Sequence, residues 1–376
     1  MTLTESNDER CIKLFKASIK SKHTEAVYMR NLDYFRDYLG VNTFSEILTI
    51  PDLQQRLEDY VIQLKATKHA NSITVLYAPI QSFLEMNDKI LNFKKIRRFF
   101  PSKVKTAVER GWTTTEIQNM LAVSKLRTKA IIHFENASGG RLGIFDGLKI
   151  KHLKPVEDCY AIVGYAGEKE QYITFLTPEA RKALDAYIDL RRQDGENITP
   201  ESPVFRKVYR VGSGKVEAAT SNTLGECVKT AQENCGLRDP STKIGTRYTI
   251  PTNHGFRHRF DEIIKSTHGV NAHLAEKIFA HTSRLIPLDG TYLNPNVERL
   301  FQEYKKIIPA LTIDNREQAE AEKKAVMVQR TEFEKMKMEN QAFQKSVLES
   351  LKKLQDATNP DTKAILDYVR KNLEES

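Results

Sequence analysis

The seven residues HGFRHRF, 254 to 260, set His254 and Arg257 one helical turn apart and follow them at once with His258 and Arg259. Residues three apart on a helix share a face. An imidazole beside a permanently charged guanidinium suits phosphate gripping, a metal site, a basic patch or a buried pair. Four more positions could join them: Arg141 in SGGRLG, Lys169 in AGEKEQ, His281 in IFAHTSR and Tyr292 in LDGTYLNP. None is specific alone, since an H-x-x-R pair or one tyrosine is common in any core. As an ordered set they carry weight.

The elements that must position this set are legible as periodicities. Val27, Tyr28, Leu32, Tyr34, Phe35 and Leu39 recur at helical spacing, with Thr24 as the expected cap and Gly40 as the stop. Further helices are expected over 51–66 and 71–87. The segment KILNFKKIRRFFPSKVK carries Lys89, Lys94, Lys95, Arg97, Arg98, Lys103 and Lys105 with no acidic residue. It reads either as a solvated face or as a strap that neutralises phosphates between two domains. Thr113 and Glu116 in TTTEIQNML form a capping box, so a second domain starts near 107. A helix over 124–137 follows, then a β-rich stretch. CYAIVG and QYITFLT alternate as a hairpin with Lys169 at its tip, and helices return at 178–192, 220–236, 254–267 and 272–280.

Composition narrows the class. The 376 residues carry 40% hydrophobic content, one Trp and a net charge of +9, with a pI near 9.1. That balance favours a polyanionic partner. The polar, acidic start MTLTESNDER and the lack of any long apolar run argue against a secretory or membrane route, and a cytoplasmic protein is expected. Cys11, Cys159, Cys227 and Cys235 lack C-x-x-C spacing, so neither a zinc site nor a disulfide frame is expected.

The order Arg, Lys, His-x-x-Arg, His, Tyr resembles the tyrosine recombinase (phage integrase) family over roughly residues 15 to 310. ASGGRLGIFDGLKI is similar to its first arginine box, NHGFRHRFDEII to its second, and AEKIFAHTSR to the helix that ends in the third conserved position. The resemblance implies a mostly α fold with a small β component. It has a helical core-binding (SAM-like) domain over 1–106 with the basic linker, and a mixed α/β DNA breaking-rejoining catalytic domain over 107–312. Two domains clamping double-stranded DNA, protomers assembling as a tetramer on paired sites, and neither metal nor cofactor are implied with it.

Within that resemblance the residue types make chemical sense. Tyr292 is the nucleophile, a phenol whose anion is competent once cations surround it. Arg141 and Arg257 each grip a non-bridging phosphate oxygen. His254 and His281 donate to the same phosphate or take the tyrosine proton. Lys169 on the hairpin supplies the proton to the departing 5′ oxygen. Lys94, Lys95, Arg97, Arg98, Lys103 and Lys105 track the DNA backbone, and His258 and Arg259 are DNA-facing or solvated neighbours. Tyr172 and Tyr304, with no cations nearby in sequence, read as core or surface residues.

Three departures stand out. The family's first box carries Glu or Asp three residues after its arginine, where this chain has Ile144, with Asp146 nearby. Its lysine precedes the turn glycine, where Ala166 stands, whereas Lys169 follows Gly167. The gap from His281 to Tyr292 is slightly longer than usual. The competing functions are a type IB topoisomerase-like enzyme and a non-catalytic architectural DNA binder.

The tail over 313–376 reads as helical. Val326, Phe333, Asn340, Val347 and Leu354 recur every seven residues, with Met336 and Phe343 between them. This is either a coiled-coil seam with a register-fixing Asn or an amphipathic helix lying on its own domain. A last helix is expected from Asn359 and Pro360.

Overall fold

The computed structural model describes residues 6–103, 110–208, 216–244, 247–280 and 296–357. Two compact units divide the chain, Met1–Thr106 and Ala107–Ser376.

The first unit is helical: α1 (Asn7–Ala17), α2 (Lys22–Leu39), α3 (Phe44–Thr49), α4 (Leu53–Thr67), α5 (Ala70–Met86) and the short α6 (Phe93–Arg97). Phe15, Leu32, Phe35, Ile47, Leu57, Val61, Ile73, Ile80 and Phe83 meet in its core. Each such side chain contributes roughly 1.5–3 kcal/mol on burial. Ser21, in extended conformation, takes the cap position of α2, so Thr24 falls inside the first turn and not before it. Gly40 does end α2, at φ 71°. The basic segment is anchored through Ile96, buried in this core, while Phe93, Phe99 and Phe100 pack against it.

The second unit begins with α7 (Thr114–Ala122), whose Thr113–Glu116 capping box is present and is braced by Arg110 on Glu116. After α8 (Leu126–Ser138) come three antiparallel strands in the order β1 (Leu153–Val156), β2 (Cys159–Gly164), β3 (Tyr172–Leu176), with Gly164 opposite Tyr172 at the hairpin. Then follow α9 (Pro178–Gln193), α10 (Ser221–Asn234), the two-residue strands β4 (Lys243–Ile244) and β5 (Arg247–Tyr248), α11 (His254–Ser266) and α12 (Ala272–Ile278). Beyond residue 295 the unit continues with α13 (Val297–Lys305), α14 (Ile308–Leu311) and the long α15 (Asn315–Ala357).

The last turn of α8 holds this unit together. A helix C-terminus leaves carbonyls without intrahelical partners, and here distant elements supply them. Tyr304 on α13 donates its hydroxyl to the Ala137 carbonyl at 2.8 Å. Thr174 on β3 donates to Ser138 at 2.8 Å. Arg257 on α11 donates to Gly139 at 2.8 Å. Asn136 donates outward to the Leu311 carbonyl at 2.7 Å. Gly139 itself adopts φ 56°, and a Cβ there would come 2.4 Å from the Phe260 ring, so both backbone and packing require glycine.

Among the described residues no helix is long and apolar enough to cross a membrane. The four cysteines are free thiols.

Candidate active site

Arg257 enters the site from the first turns of α11. It is buried, and its guanidinium donates to Gly139 and to the Phe279 carbonyl, both at 2.8 Å, while lying 3.6 Å from the centre of the Phe279 ring. Burial, with Arg141 adding like-charge repulsion, brings its pKa down to about 10, still well above neutrality. Arg141 follows Gly139 and Gly140 and is exposed. It donates to the Ala280 carbonyl at 3.2 Å. The two guanidiniums thus sit on consecutive carbonyls at the end of α12. Ala280 makes this possible by adopting φ 52°, a left-handed conformation a non-glycine residue holds only where its surroundings impose it. Two like charges converge there at an electrostatic cost, which a bound polyanion would repay.

His254 is exposed on α11, and its ring meets that of His258 edge to face, centroids 4.7 Å apart. Lys169 is exposed in the turn between β2 and β3. At the start of that turn Tyr165 holds φ 50°, and a Cβ on Gly143 would come 2.9 Å from its hydroxyl, so the hairpin base rests on the Arg141 loop. His281 and Tyr292 lie outside the described residues, as does Lys105. Of the six site positions, the described structure therefore brings Arg141 and Arg257 together at the chain that leads to His281. It places His254 on the helix bearing Arg257, and Lys169 on the neighbouring hairpin.

Several neighbours differ from expectation. Arg259 is half-buried and tied into the protein: it reaches Asn136 at 3.1 Å, the Trp112 carbonyl at 3.2 Å, Thr114 at 3.0 Å and the Ala310 carbonyl at 3.1 Å. Two residues along the helix turn it by about 200°, away from Arg257's side and into the junction of α7, α8 and α14. Tyr172 is a core residue, yet its hydroxyl lies in the field of Arg257 and Arg141, which sequence distance conceals. Burial pushes that phenol up, which disfavours it as a nucleophile. Tyr304 is fully buried, as a core residue should be. Asp146 accepts from the Ser221 N–H at 2.8 Å and its hydroxyl at 2.7 Å, so it steadies the start of α10.

Sequence reasoning also passed over Glu135. It is 4% exposed on α8, and burial drives its carboxyl well above the usual range. The amide orientation that satisfies both groups turns the Asn253 nitrogen toward both Glu135 oxygens, at 3.2 and 3.3 Å. The available signal was a carboxylate three and four residues after Ile132 and Ile131, on the same helical face as both.

In the basic segment, Lys95 is paired with Glu58 at 2.8 Å and Arg97 donates to Gln81 at 2.9 Å, whereas Lys94, Arg98 and Lys103 are exposed.

No protein-family model matches the chain. A tyrosine recombinase XerC from Leptospira interrogans is 24% identical over 219 residues, which cover 58% of this chain and 63% of the relative. The match thus spans less than two thirds of that relative's length. A solved structure of a lambda integrase (75–356) dimer bound to a COC′ core site superposes with a TM-score of 0.51 at 14% identity, covering 77% of this chain and 96% of the other. A lambda integrase tetramer bound to a Holliday junction gives 0.53 at 13% identity, covering 76% and 78%. The chain is thus similar in sequence to a tyrosine recombinase and similar in fold to the lambda integrase structures.

Proposed function

We propose that the chain is a site-specific DNA recombinase that cleaves and rejoins duplex DNA through a 3′-phosphotyrosyl intermediate. The observation that carries this reading is the convergence of Arg141 and Arg257 on the Phe279 and Ala280 carbonyls. The Arg141 loop, 139 residues before Ala280, meets the start of α11 there, and two cations present themselves where α12 leads toward His281 and Tyr292.

In the proposed reaction the Tyr292 oxygen attacks the scissile phosphorus as the bond to the 5′ oxygen breaks. His254 or His281 takes the phenolic proton, and Lys169 donates one to the departing 5′ oxygen, which leaves as the 5′ hydroxyl. Arg141 and Arg257 hold the two non-bridging oxygens, whose negative charge grows in the transition state. Arg257, fixed by carbonyls and by Phe279, is pre-organised, which avoids reorganisation during the reaction. The phosphotyrosyl bond retains the phosphodiester's energy, so the hydroxyl of a second strand reverses the step without ATP. Lys94, Arg98 and Lys103 on the first unit, with Lys105, are the proposed backbone contacts; Lys95 and Arg97 first have to exchange their protein partners for phosphate.

Domain roles follow: 1–106 for core binding, 107–312 for catalysis and 313–376 for assembly, with a tetramer forming on paired sites. Lys182 pairs with Glu317 at 2.8 Å and Gln118 reaches Asn315 at 3.2 Å, so the start of α15 is fastened to the second unit. Farther on, Met336 is 61% and Phe343 67% exposed, an apolar seam that a second copy would cover. The side chains of Val326, Phe333 and Leu354 lie outside the described structure, as do Asn359 and Pro360.

Trapping on nicked suicide duplexes tests the activity: a covalent adduct supports it, and its absence on a randomised duplex pool contradicts it. Plasmid relaxation assayed beside paired-site recombination separates strand exchange from topoisomerase action.

A further inference from the structure

An asparagine at the head of a helix ordinarily turns its side chain back to accept from the first-turn N–H groups. Asn253, immediately before His254, does not. Its backbone is already helical, at φ −84° and ψ −34°, and its side chain makes no capping bond. The amide instead faces the Glu135 carboxyl at 3.2 and 3.3 Å, across the gap between α11 and α8. On its other side it presses on Gly225 of α10, where a Cβ would come 2.7 Å from the amide. The amide is thus wedged among three helices. Glu135 is 4% exposed, a setting in which a carboxyl persists at a cost unless something needs it.

We propose that Glu135 is a positioning residue for the recombination chemistry, acting through Asn253 to fix the start of α11 and with it His254 and Arg257. The inference rests on the activity proposed above. Glu135 lies four residues before Gly139, whose carbonyl holds Arg257, and six before Arg141. One short segment of α8 therefore addresses the second arginine box twice: by the Gly139 carbonyl on Arg257, and by the Glu135 carboxyl on the residue preceding His254. The amide suits either protonation state of its partner. A carboxylate accepts from the Asn253 nitrogen, and a carboxylic acid donates to the Asn253 oxygen. A glutamine at 135 offers the same pair of functions at nearly the same volume, whereas alanine leaves the amide facing a void.

The decisive experiment compares wild type, Glu135→Gln, Glu135→Ala, Asn253→Ala and the double alanine variant in single-turnover adduct formation on the nicked duplex pool. Duplex affinity and Tm are measured in parallel. The expected result is a loss of at least 10-fold in cleavage rate for either alanine variant with affinity changed less than 3-fold. Glutamine restores the rate to within 3-fold of wild type, and the double variant is no slower than the slower single. A purely structural role would not give this split, because it moves affinity and Tm together with rate.

Cleavage within 3-fold of wild type by a folded Glu135→Ala overturns the proposal, as do additive losses in the double variant. Should Glu135→Ala fail to fold, Asn253→Ala decides: wild-type cleavage by that variant overturns it equally. A wild type that forms no adduct sinks the activity itself and this inference with it, a result distinguishable from wild-type success with unaffected variants.

Discussion

The guanidinium of Arg257 lies over the ring of Phe279, 3.6 Å from its centre, and donates to the carbonyl of that same residue at 2.8 Å. The two carbonyls, with the ring beneath, fix the direction of the fork, a constraint lysine cannot meet. Arg257→Lys is expected to retain duplex affinity within a few-fold and to lose about 10²–10³ in cleavage rate. Arg257→Ala strands the Gly139 and Phe279 carbonyls as well, and is expected to cost about 3 kcal/mol of stability. Chemical denaturation beside single-turnover cleavage checks both.

Arg141 gives the contrasting outcome. It is exposed and makes a 3.2 Å bond to the Ala280 carbonyl, so Arg141→Ala is expected to shift stability by less than about 1 kcal/mol while costing about 10²–10³ in rate. Equal effects on stability at the two arginines, both proposed phosphate ligands, would contradict a structural tie for buried Arg257 that exposed Arg141 lacks.

Tyr292→Phe removes the proposed nucleophile without removing its ring. Binding is expected to persist within about 3-fold and covalent adduct to vanish. An adduct formed by this variant would move the nucleophile to another residue.

Arg259, two positions from Arg257, is a structural tie. Its bonds to Asn136, Trp112, Thr114 and Ala310 join α7, α8 and α14, so Arg259→Ala is expected to lower stability by about 2–4 kcal/mol. Cleavage by the folded fraction, measured well below Tm, is expected to stay within a few-fold of wild type.

His133 sets an acid limit. Burial, aided by Lys129, brings its pKa from 6.5 to about 4. Glu179 stands 3.8 Å away, but its oxygens accept from the Ile313 and Asp314 N–H groups at 2.8 Å, which limits its support for an imidazolium. The unfolded chain takes up this proton near pH 6.5 and the folded chain only near 4. Stability is therefore lost as pH falls through that window, by about 3 kcal/mol from this group. The stability difference between wild type and His133→Phe, followed from pH 7.5 to 4, is expected to shift by that amount toward the variant; a flat difference contradicts it.

Truncation tests α15. Ile313 is buried and its N–H is held by Glu179, so the cut belongs after Glu320 and not before Ile313. The shortened chain is expected to fold with unchanged Tm and to lose higher-order complexes on paired-site DNA in native gels. Unchanged complexes would assign the seam another task.

Much of the architecture was written locally. The helices over 53–67, 70–86, 178–193 and 254–266, the Thr113–Glu116 box, the Gly40 stop and the hairpin around Lys169 all follow from 3.6- or 2-residue periodicity and cap chemistry. Such signals need only near neighbours in the chain. The ordered set of Arg141, Lys169, His254 and Arg257 was likewise visible as residue types and spacing. What each cation touches was not. Arg257 and Arg259 look equivalent in HGFRHRF, yet one closes on Gly139 and Phe279 and the other on Trp112 and Ala310. Glu135 read as one more polar residue until α11 brought Asn253 against it. Those outcomes depend on carbonyls and side chains contributed from 22 to 147 residues away, and only packing α8 among α11, α13 and β3 decides which group each one meets.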